Sequence, residues 1–247
     1  MNTATAVPTP TLLDASLGLG QIAVQLPGAT AIFRRLKLDF CCGGLVSLQQ
    51  ATHEKGLDTE AVLAELAALP QTNAPLQAPT EPADLIGHIL TRYHAVHRAQ
   101  LPELIRMARR VESVHAGHPL VPAGLAAHLE QMESELLDHM EKEESVLFPI
   151  MQRGGHPMVR HPITMMRLEH VEHGSALERL DQLTQDQQAP AGACTTWRAL
   201  YAGLAQLKDD LISHIHLENN VLFPMFESAG NAGGCGGTGG CGWSGAQ

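Results

Sequence analysis

The sequence has 247 residues, a formal net charge of −10 and 44% hydrophobic residues, few of them aromatic. This length allows one large or two small domains with an apolar core. An acidic chain without a basic run is poorly suited to nucleic acids or anionic membranes, so we expect neither as a partner. No apolar segment approaches the ~20 residues of a membrane-spanning helix, and the first residues lack the features of a secretion signal.

The cysteine count indicates a reducing compartment. The chain has five cysteines, two of them adjacent, and this odd set does not form a disulfide framework. We therefore expect a cytoplasmic protein. Histidine is unusually frequent, with 14 residues against 16 for lysine and arginine together.

Residues 12–69 predict a small helical N-terminal domain. The run QIAVQLPGATAIFRRLKL has apolar residues at helical spacing and is broken at Pro27. LVSLQQATHEKG and TEAVLAELAAL predict two more amphipathic helices, the first ended by Gly56 and the second capped by Asp58. CCGG, residues 41–44, predicts a turn because glycine adds backbone freedom.

A polar, proline-rich segment, residues 70–82, predicts a linker. Beyond it we predict four long helices, separated by breaks that contain glycine and proline. Their approximate ranges are 83–114, 122–150, 161–185 and 195–227. Pro102 lies inside the first range, where it allows a kink or a late start. Short connections between helices of similar length predict an all-α, up-down-up-down four-helix bundle over residues 83–227.

The end of the chain, residues 228–247, is rich in glycine and predicts a flexible tail. It holds Cys235 and Cys241, whose role the sequence leaves open.

Residues 83–150 and 161–227 are two halves of an internal duplication. The segments HMEKEESVLFP and HIHLENNVLFP, which begin at His139 and His214, share His-x-x-x-Glu and Val-Leu-Phe-Pro. A His-x-x-His pair precedes each segment, beginning at His94 and His170, and the offset between the pairs is nearly the same as that between the segments. Matches at nearly one offset indicate that each half is a helix with His-x-x-His followed by a helix with His-x-x-x-Glu.

The duplicated His-x-x-x-Glu motifs have the geometry of metal ligands. An α-helix advances about 100° per residue, so His139 and Glu143 share a face, as do His214 and Glu218, whereas His216 points away from His214. Four antiparallel helices can each direct one imidazole inward, and two of them add a carboxylate. Two ions bridged by the carboxylates accommodate six such ligands, and cations offset the cost of burying carboxylates.

Spacing alone leaves several choices open. A single histidine on an apolar helix face is more often a core or surface residue, but two copies of each motif in register favour a buried metal site. Either His94 or His97, and either His170 or His173, supplies a ligand. Imidazole and carboxylate also accept zinc or manganese, so the ligand types do not identify the metal.

Several segments are similar to one known family. RYHAVHRAQLPEL, HMEKEESVLFP, MMRLEH and HIHLENNVLFP resemble the hemerythrin-like domain of the iron–sulfur cluster repair di-iron proteins. LDFCCGG and its flanking helices resemble the short N-terminal domain of the same family. The resemblance covers nearly the whole chain except its two ends. Ferritin-like di-iron proteins are a weaker match because they use Glu-x-x-His.

The resemblance implies a ligand set and a cofactor. The family's ligands fall on six residues of this sequence: His94, His139, Glu143, His170, His214 and Glu218. It implies that the two glutamates bridge two irons in a non-haem, oxo-bridged centre, and that Glu169 lies near this site. Oxygen-carrying hemerythrins use more histidines, so the smaller set implies open positions for water, an oxo bridge or nitric oxide.

The resemblance also implies a function, which is repair of iron–sulfur clusters damaged by nitrosative or oxidative stress through iron delivery. The partners would then be damaged iron–sulfur proteins or a cluster-assembly scaffold, with a small gas such as nitric oxide as a ligand. Two alternatives stay open: reduction of nitric oxide at the site, which would make the protein an enzyme, and non-catalytic sensing of oxygen or nitric oxide. The oligomeric state, monomer or homodimer, is also open.

Cys41 and Cys42 have two interpretations. Adjacent cysteines rarely form a disulfide with each other because the geometry is unfavourable. The resemblance favours a thiol pair that takes part in iron, persulfide or redox chemistry with a partner, which makes both residues candidate catalytic groups. The other interpretation is a tight turn with two buried thiols.

Overall fold

The computed structural model describes residues 13–70, 81–155 and 157–227. The regular elements in these ranges are helices, which confirms the all-α prediction. Residues 71–80 of the predicted linker lie outside the described residues, and so does the predicted tail with its two cysteines. The domain boundaries therefore stay a prediction.

Four short helices make up the N-terminal part: α1 (Leu19–Gln25), α2 (Ala29–Arg35), α3 (Leu48–Glu54) and α4 (Thr59–Ala67). Gly28 separates the first two with φ 93°, a conformation that glycine adopts without a steric penalty. Asp58 caps α4 as predicted, accepting hydrogen bonds from the backbone N–H groups of Glu60 (3.0 Å) and Ala61 (3.4 Å).

All four short helices contribute to one apolar core, which buries Leu19, Phe33, Leu48 and Leu66 almost completely. Phe40, in the turn before the two cysteines, belongs to the same core. Its burial fixes the start of the CCGG segment, so the thiols that follow have a defined position.

Four long helices follow the linker. α5 consists of Pro82–Ile89, Leu90–His94 and Ala95–Val114, and α6 of Leu125–Lys142, Glu143–Leu147 and Phe148–Gln152. α7 is Arg160–Thr184, and α8 consists of Thr195–Leu217, Glu218–Leu222 and Phe223–Glu227. Pro102 lies inside α5, so the late start allowed from the sequence is wrong. Each helix packs against its neighbours in an antiparallel bundle, with α8 closing the ring against α5 and α7.

The middle segments of α5, α6 and α8 are π-helical, and each begins or ends at a predicted ligand, namely His94, Glu143 or Glu218. A π turn accommodates one extra residue, and such turns often occur at functional sites. The extra residue rotates the following part of the helix, so that a different set of its side chains faces the bundle interior. The carboxylates and the apolar Leu-Phe pairs after them, residues 147–148 and 222–223, are therefore buried together.

The bundle interior has a polar layer between two apolar clusters. One cluster surrounds Trp197, and the other surrounds Phe148 and Phe223. On every long helix the histidines of the duplicated motifs lie between a residue of one cluster and a residue of the other. The flanking pairs are Tyr93 and Leu101, Leu136 and Leu147, Met166 and Leu177, and Leu211 and Leu222. The polar layer is therefore enclosed in a low-dielectric environment.

None of the described helices combines the length and apolarity needed to cross a lipid bilayer.

Candidate metal centre

Six buried side chains from all four long helices meet in the polar layer. None of them is more than 1% exposed: His94, His139, Glu143, His170, His214 and Glu218. These are the residues on which the family's ligand pattern falls. His97 and His173, which spacing alone left as alternatives, lie outside the two ligand groups that the structure forms.

The six side chains form two overlapping groups of four. His94 and His214 belong to the first, His139 and His170 to the second, and both glutamates belong to each group. All ligand atoms of a group lie within 4.8 Å of one another. The Nε2 atoms of the paired histidines are 3.2 Å apart in both groups. This arrangement suits two cations that share two carboxylates.

Glu218 extends across both groups. Its Oε1 lies 3.1 Å from Nε2 of His214, and its Oε2 lies 3.0 Å from Nε2 of His170. Glu143 lies opposite, with Oε2 3.4 Å from Nε2 of His94 and 3.5 Å from Nε2 of His139. Each carboxylate therefore approaches one histidine of each group, as a bridging ligand must.

The two glutamates differ in their electrostatics. Burial, together with the charge of Glu218, raises the pKa of Glu143 well above its usual value. Burial alone would also raise the pKa of Glu218, but His214 and His170 hold it well below its usual value. Without metal, Glu143 is therefore the more readily protonated of the two carboxylates.

The residues fit a pair of cations. Both carboxylate oxygens of Glu143 are buried without a hydrogen-bond partner among the described residues. An unpartnered buried polar group costs about 1–3 kcal/mol, and a bound cation supplies the missing partner. Imidazole and carboxylate together suit iron, zinc and manganese.

Three ligand histidines donate from Nδ1 to a neighbouring acceptor. His94 donates to Glu144 (2.7 Å), His139 to Glu169 (2.9 Å) and His170 to Asn219 (2.9 Å). A proton fixed on Nδ1 leaves the Nε2 lone pair free for a metal. These acceptors therefore set both the tautomer and the orientation of the rings.

Glu169 is an anionic acceptor rather than a member of either ligand group. The hydrogen bond from His139, with a further one from Lys142 (2.7 Å), lowers the pKa of Glu169 to about 2. It thus lies beside the centre, as the resemblance implies, and acts through His139. Its contribution to stability is present above the ordinary value near 4.5 and is lost as pH falls towards 2.

The duplication contains signals for supporting residues that the sequence analysis missed. Glu144 and Asn219 occupy equivalent positions in the two halves, each directly after a bridging glutamate. Tyr93 and Glu169 are equivalent in the same way, each directly before a ligand histidine. Tyr93 stacks on His214 with a centroid distance of 5.3 Å, whereas Glu169 accepts from His139. Extending the repeat by one position on each motif would have found Glu144, Asn219 and Tyr93, whereas the resemblance already implied Glu169.

His216 points towards the N-terminal helices. Its ring lies edge-on to Phe40 at 5.1 Å, and its Nδ1 is 3.1 Å from Nδ2 of Asn220. Its direction away from His214 agrees with the prediction. The side chain is nevertheless buried, because the N-terminal helices cover this face of α8.

The two adjacent cysteines lie directly against the metal-ligand helices. Cys41 and Cys42 are free thiols with Sγ atoms 3.8 Å apart, and Sγ of Cys42 donates to the carbonyl oxygen of His170 (3.3 Å). Asn219, whose Oδ1 accepts from His170, donates from Nδ2 to the carbonyl of Cys41 (3.1 Å). Asn220 donates to the carbonyl of Phe40 (3.2 Å). Two hydrogen-bonded routes therefore join His170 to the thiol turn.

The thiol pair borders a cavity of about 950 Å³ between the N-terminal helices, α7 and α8. The hydrogen bond with Cys42, followed by burial, raises the pKa of the Cys41 thiol. Cys41 therefore stays protonated at neutral pH until a cation or a base displaces its proton.

We predict that Gly44→Ala loosens the docking of this turn. A methyl group at Gly44 would collide with Oδ1 of Asn220 and approach the carbonyl oxygen of Phe40 to 3.0 Å. Asn220 cannot move aside without losing its hydrogen bonds to the turn. Overpacking of this kind costs about 1–3 kcal/mol, which corresponds to about 5- to 150-fold faster alkylation of Cys42.

The measurement is iodoacetamide labelling followed by peptide mass analysis. Gly87→Ala is the matched control, because a methyl group there meets no neighbouring atom. Equal labelling rates in the two variants would contradict the prediction.

Comparison with known proteins agrees with this geometry. Residues 85–226 match the hemerythrin HHE cation binding domain, and residues 16–70 match the domain of unknown function DUF542. The chain is 48% identical to the iron-sulfur cluster repair protein YtfE of Cronobacter sakazakii, over 83% of this chain and 94% of that protein. The proteins of the same name from Escherichia coli O157:H7 and Edwardsiella ictaluri are each 47% identical, with the same coverage.

The helical bundle and its buried histidine–glutamate layer define a hemerythrin-type cation-binding protein. More narrowly, the chain belongs to the iron–sulfur cluster repair family, since it matches those relatives over nearly their whole length.

Proposed function

We propose that this protein repairs iron–sulfur clusters damaged by nitrosative or oxidative stress, and that it does so by delivering iron. The observation that carries the proposal is the pair of four-ligand groups that share Glu143 and Glu218. The names of the relatives support the same function. Neither nitric oxide reduction nor sensing is favoured by a particular contact.

His94 and His214 would hold one iron, His139 and His170 the other, and the two glutamates would bridge them. The bound pair supplies ferrous iron as cargo and a redox-active centre. Glu144, Glu169 and Asn219 hold the imidazoles with Nε2 directed inward. Metal binding would compete with protonation of Glu143, whose pKa burial raises, so acid would favour iron release.

In this proposal Cys41 and Cys42 receive iron on its way out of the bundle. Together with Asp39 they form a third group of metal-capable atoms within 4.8 Å of one another. Cys42 contacts the backbone of the ligand His170, and both thiols face the cavity between the N-terminal helices and the bundle. A partner that enters this cavity would meet the thiols before the buried centre.

We expect the iron-loaded protein to restore the activity of an oxidatively damaged iron–sulfur enzyme such as aconitase. Recovery should exceed that given by an equal amount of free ferrous iron. The double variant Cys41→Ser/Cys42→Ser should keep its iron but repair about tenfold more slowly, a loss of ~1.4 kcal/mol in the transfer step. Initial rates of aconitase recovery provide the measurement.

Two results would contradict this proposal. Recovery no better than with free ferrous iron would exclude delivery by the protein. Unchanged repair by the double variant would show that the two thiols take no part in iron transfer. The proposed role of the metal centre would be unaffected by that result.

A further inference from the structure

Two buried histidines beside the metal centre have no place in the ligand set. His97 is 0% exposed and His173 is 5% exposed. Neither ring nitrogen of His97 has a hydrogen-bond partner among the described residues, and the same holds for Nε2 of His173. Buried polar atoms in proteins are nearly always hydrogen-bonded, so unpartnered nitrogens at this site require an explanation.

The duplication relates these two histidines. They occupy equivalent positions in the two halves, and each lies one turn beyond a ligand on the same helix, His97 after His94 and His173 after His170. A random packing defect would affect one half of the duplication. Each half contains an imidazole with an unpartnered nitrogen beside its metal position. This repetition indicates that the two histidines have the same role, one at each metal position.

Each of these histidines packs against the other imidazole of its own group. His97 lies next to His214, with ring centroids 5.5 Å apart, and His214 shares a group with His94. His173 lies next to His139, with centroids 4.9 Å apart, and His139 shares a group with His170. Each metal position is therefore flanked by a third imidazole that is not in its ligand group.

The ligand count leaves room for a further molecule. Each group offers two imidazoles and two shared carboxylates, which leaves positions free on a six-coordinate iron. The surroundings restrict its size, because the apolar clusters around Trp197 and Phe223 enclose the layer on both sides. This enclosure favours a small ligand, such as a small anion or a diatomic gas.

We propose that His97 and His173 are hydrogen-bond donors that bind a small anion or diatomic ligand at the two metal positions, one histidine for each. A neutral imidazole carries one N–H donor and no charge, so it stabilises such a ligand without competing electrostatically with the metal. The proposal rests on the di-iron centre of the proposed function and adds the residues that select its small ligand.

The test is azide titration of the iron-loaded, oxidised protein, followed by the absorption of the azide complex. His97→Leu and His173→Leu should each bind azide about 10- to 100-fold more weakly, since a hydrogen bond to a charged ligand is lost. His97→Gln and His173→Gln keep an N–H donor and should retain most of the affinity. His216→Leu is the matched control, because this buried histidine faces Phe40 and lies outside both groups.

Metal content is measured on every sample and separates the possible outcomes. Weaker azide binding at unchanged iron content, with recovery in the glutamine variants, supports the proposal. Unchanged azide affinity in the leucine variants overturns it. Loss of iron in these variants also overturns it, since the histidines would then be metal ligands. A wild-type protein that holds no iron would instead contradict the proposed function.

If the leucine variants do not fold, a measurement on the unmodified protein tests the proposal instead. An N–H donor to bound azide should shift the infrared stretch of the azide when the solvent is changed from water to deuterium oxide. An unshifted band in the wild-type protein overturns the proposal.

Discussion

Glu143→Leu is expected to remove both iron ions and, at the same time, to stabilise the metal-free fold. The carboxylate belongs to both ligand groups, so its loss weakens both positions, by more than the roughly 100-fold typical of a supporting residue. In the metal-free protein neither oxygen of this buried carboxyl group has a hydrogen-bond partner among the described residues. Replacing it with an apolar side chain of similar size should raise the free energy of unfolding by about 1–3 kcal/mol. Metal analysis and urea unfolding measure the two effects.

Two variants act as controls for this prediction. Glu218→Leu should also lose both ions but should destabilise the metal-free fold, because Glu218 is paired with His170 and His214. His94→Leu removes a ligand from one group only and should weaken one position more than the other. Retention of two irons by Glu143→Leu would exclude its bridging role. A less stable metal-free Glu143→Leu would show that the carboxyl group has a partner in solution.

The second large effect is a loss of metal-free stability in mild acid. Burial, as the largest cause, lowers the pKa of five histidines, including His139, from their ordinary value of 6.5. For the other four the values are about 4 for His94 and His216, about 3 for His173 and about 2 for His97. Groups with a depressed folded pKa contribute stability that is present above 6.5 and is lost as pH falls towards the folded value.

Between pH 7 and pH 5 the unfolded chain takes up protons that the folded chain does not, which costs about 2 kcal/mol per buried histidine. Glu143 acts in the opposite direction, since its raised pKa favours the fold as pH falls, but this one group is opposed by five histidines. We expect the free energy of unfolding to fall by several kcal/mol over this range. Urea unfolding followed by far-ultraviolet circular dichroism measures the change.

The double variant His97→Leu/His173→Leu provides the comparison. It removes two of the five depressed groups, so its loss of stability between pH 7 and pH 5 should be roughly three fifths of that of the unmodified protein. Equal stability of the metal-free protein at the two pH values would contradict the prediction.

Local signals predicted most of the helix arrangement. Glycine and proline break the long helices where expected, and Asp58 and Gly28 mark helix boundaries in the N-terminal part. Pro102 was ambiguous because a proline inside a helix removes one hydrogen bond, and tertiary packing on both sides compensates for that loss. The π turns have no comparable local signal, since they depend on how the neighbouring helices pack.

At the metal centre too, some features are predicted by the sequence and others depend on how the helices pack. The duplication alone indicates that each of the four helices directs a histidine inward and that two glutamates are shared. This follows because motif copies at one offset occupy equivalent positions in the two halves of the bundle. Spacing cannot separate His94 from His97, however. Three residues advance a helix by about 300°, so both lie within roughly 60° of one direction.

The sequence by itself determined the helical class, the duplication and the chemical types of the candidate ligands, because these depend on periodicity and residue identity along one chain. Spacing left the choice within each histidine pair open and the family resemblance implied it, whereas the tertiary structure brings His94 and His170 together with both carboxylates. It also showed that Asn219 connects His170 to the thiol turn, and that both ring nitrogens of His97 and Nε2 of His173 have no hydrogen-bond partner among the described residues. These features depend on how helices distant in sequence rotate and approach one another, and packing across the whole bundle sets those angles.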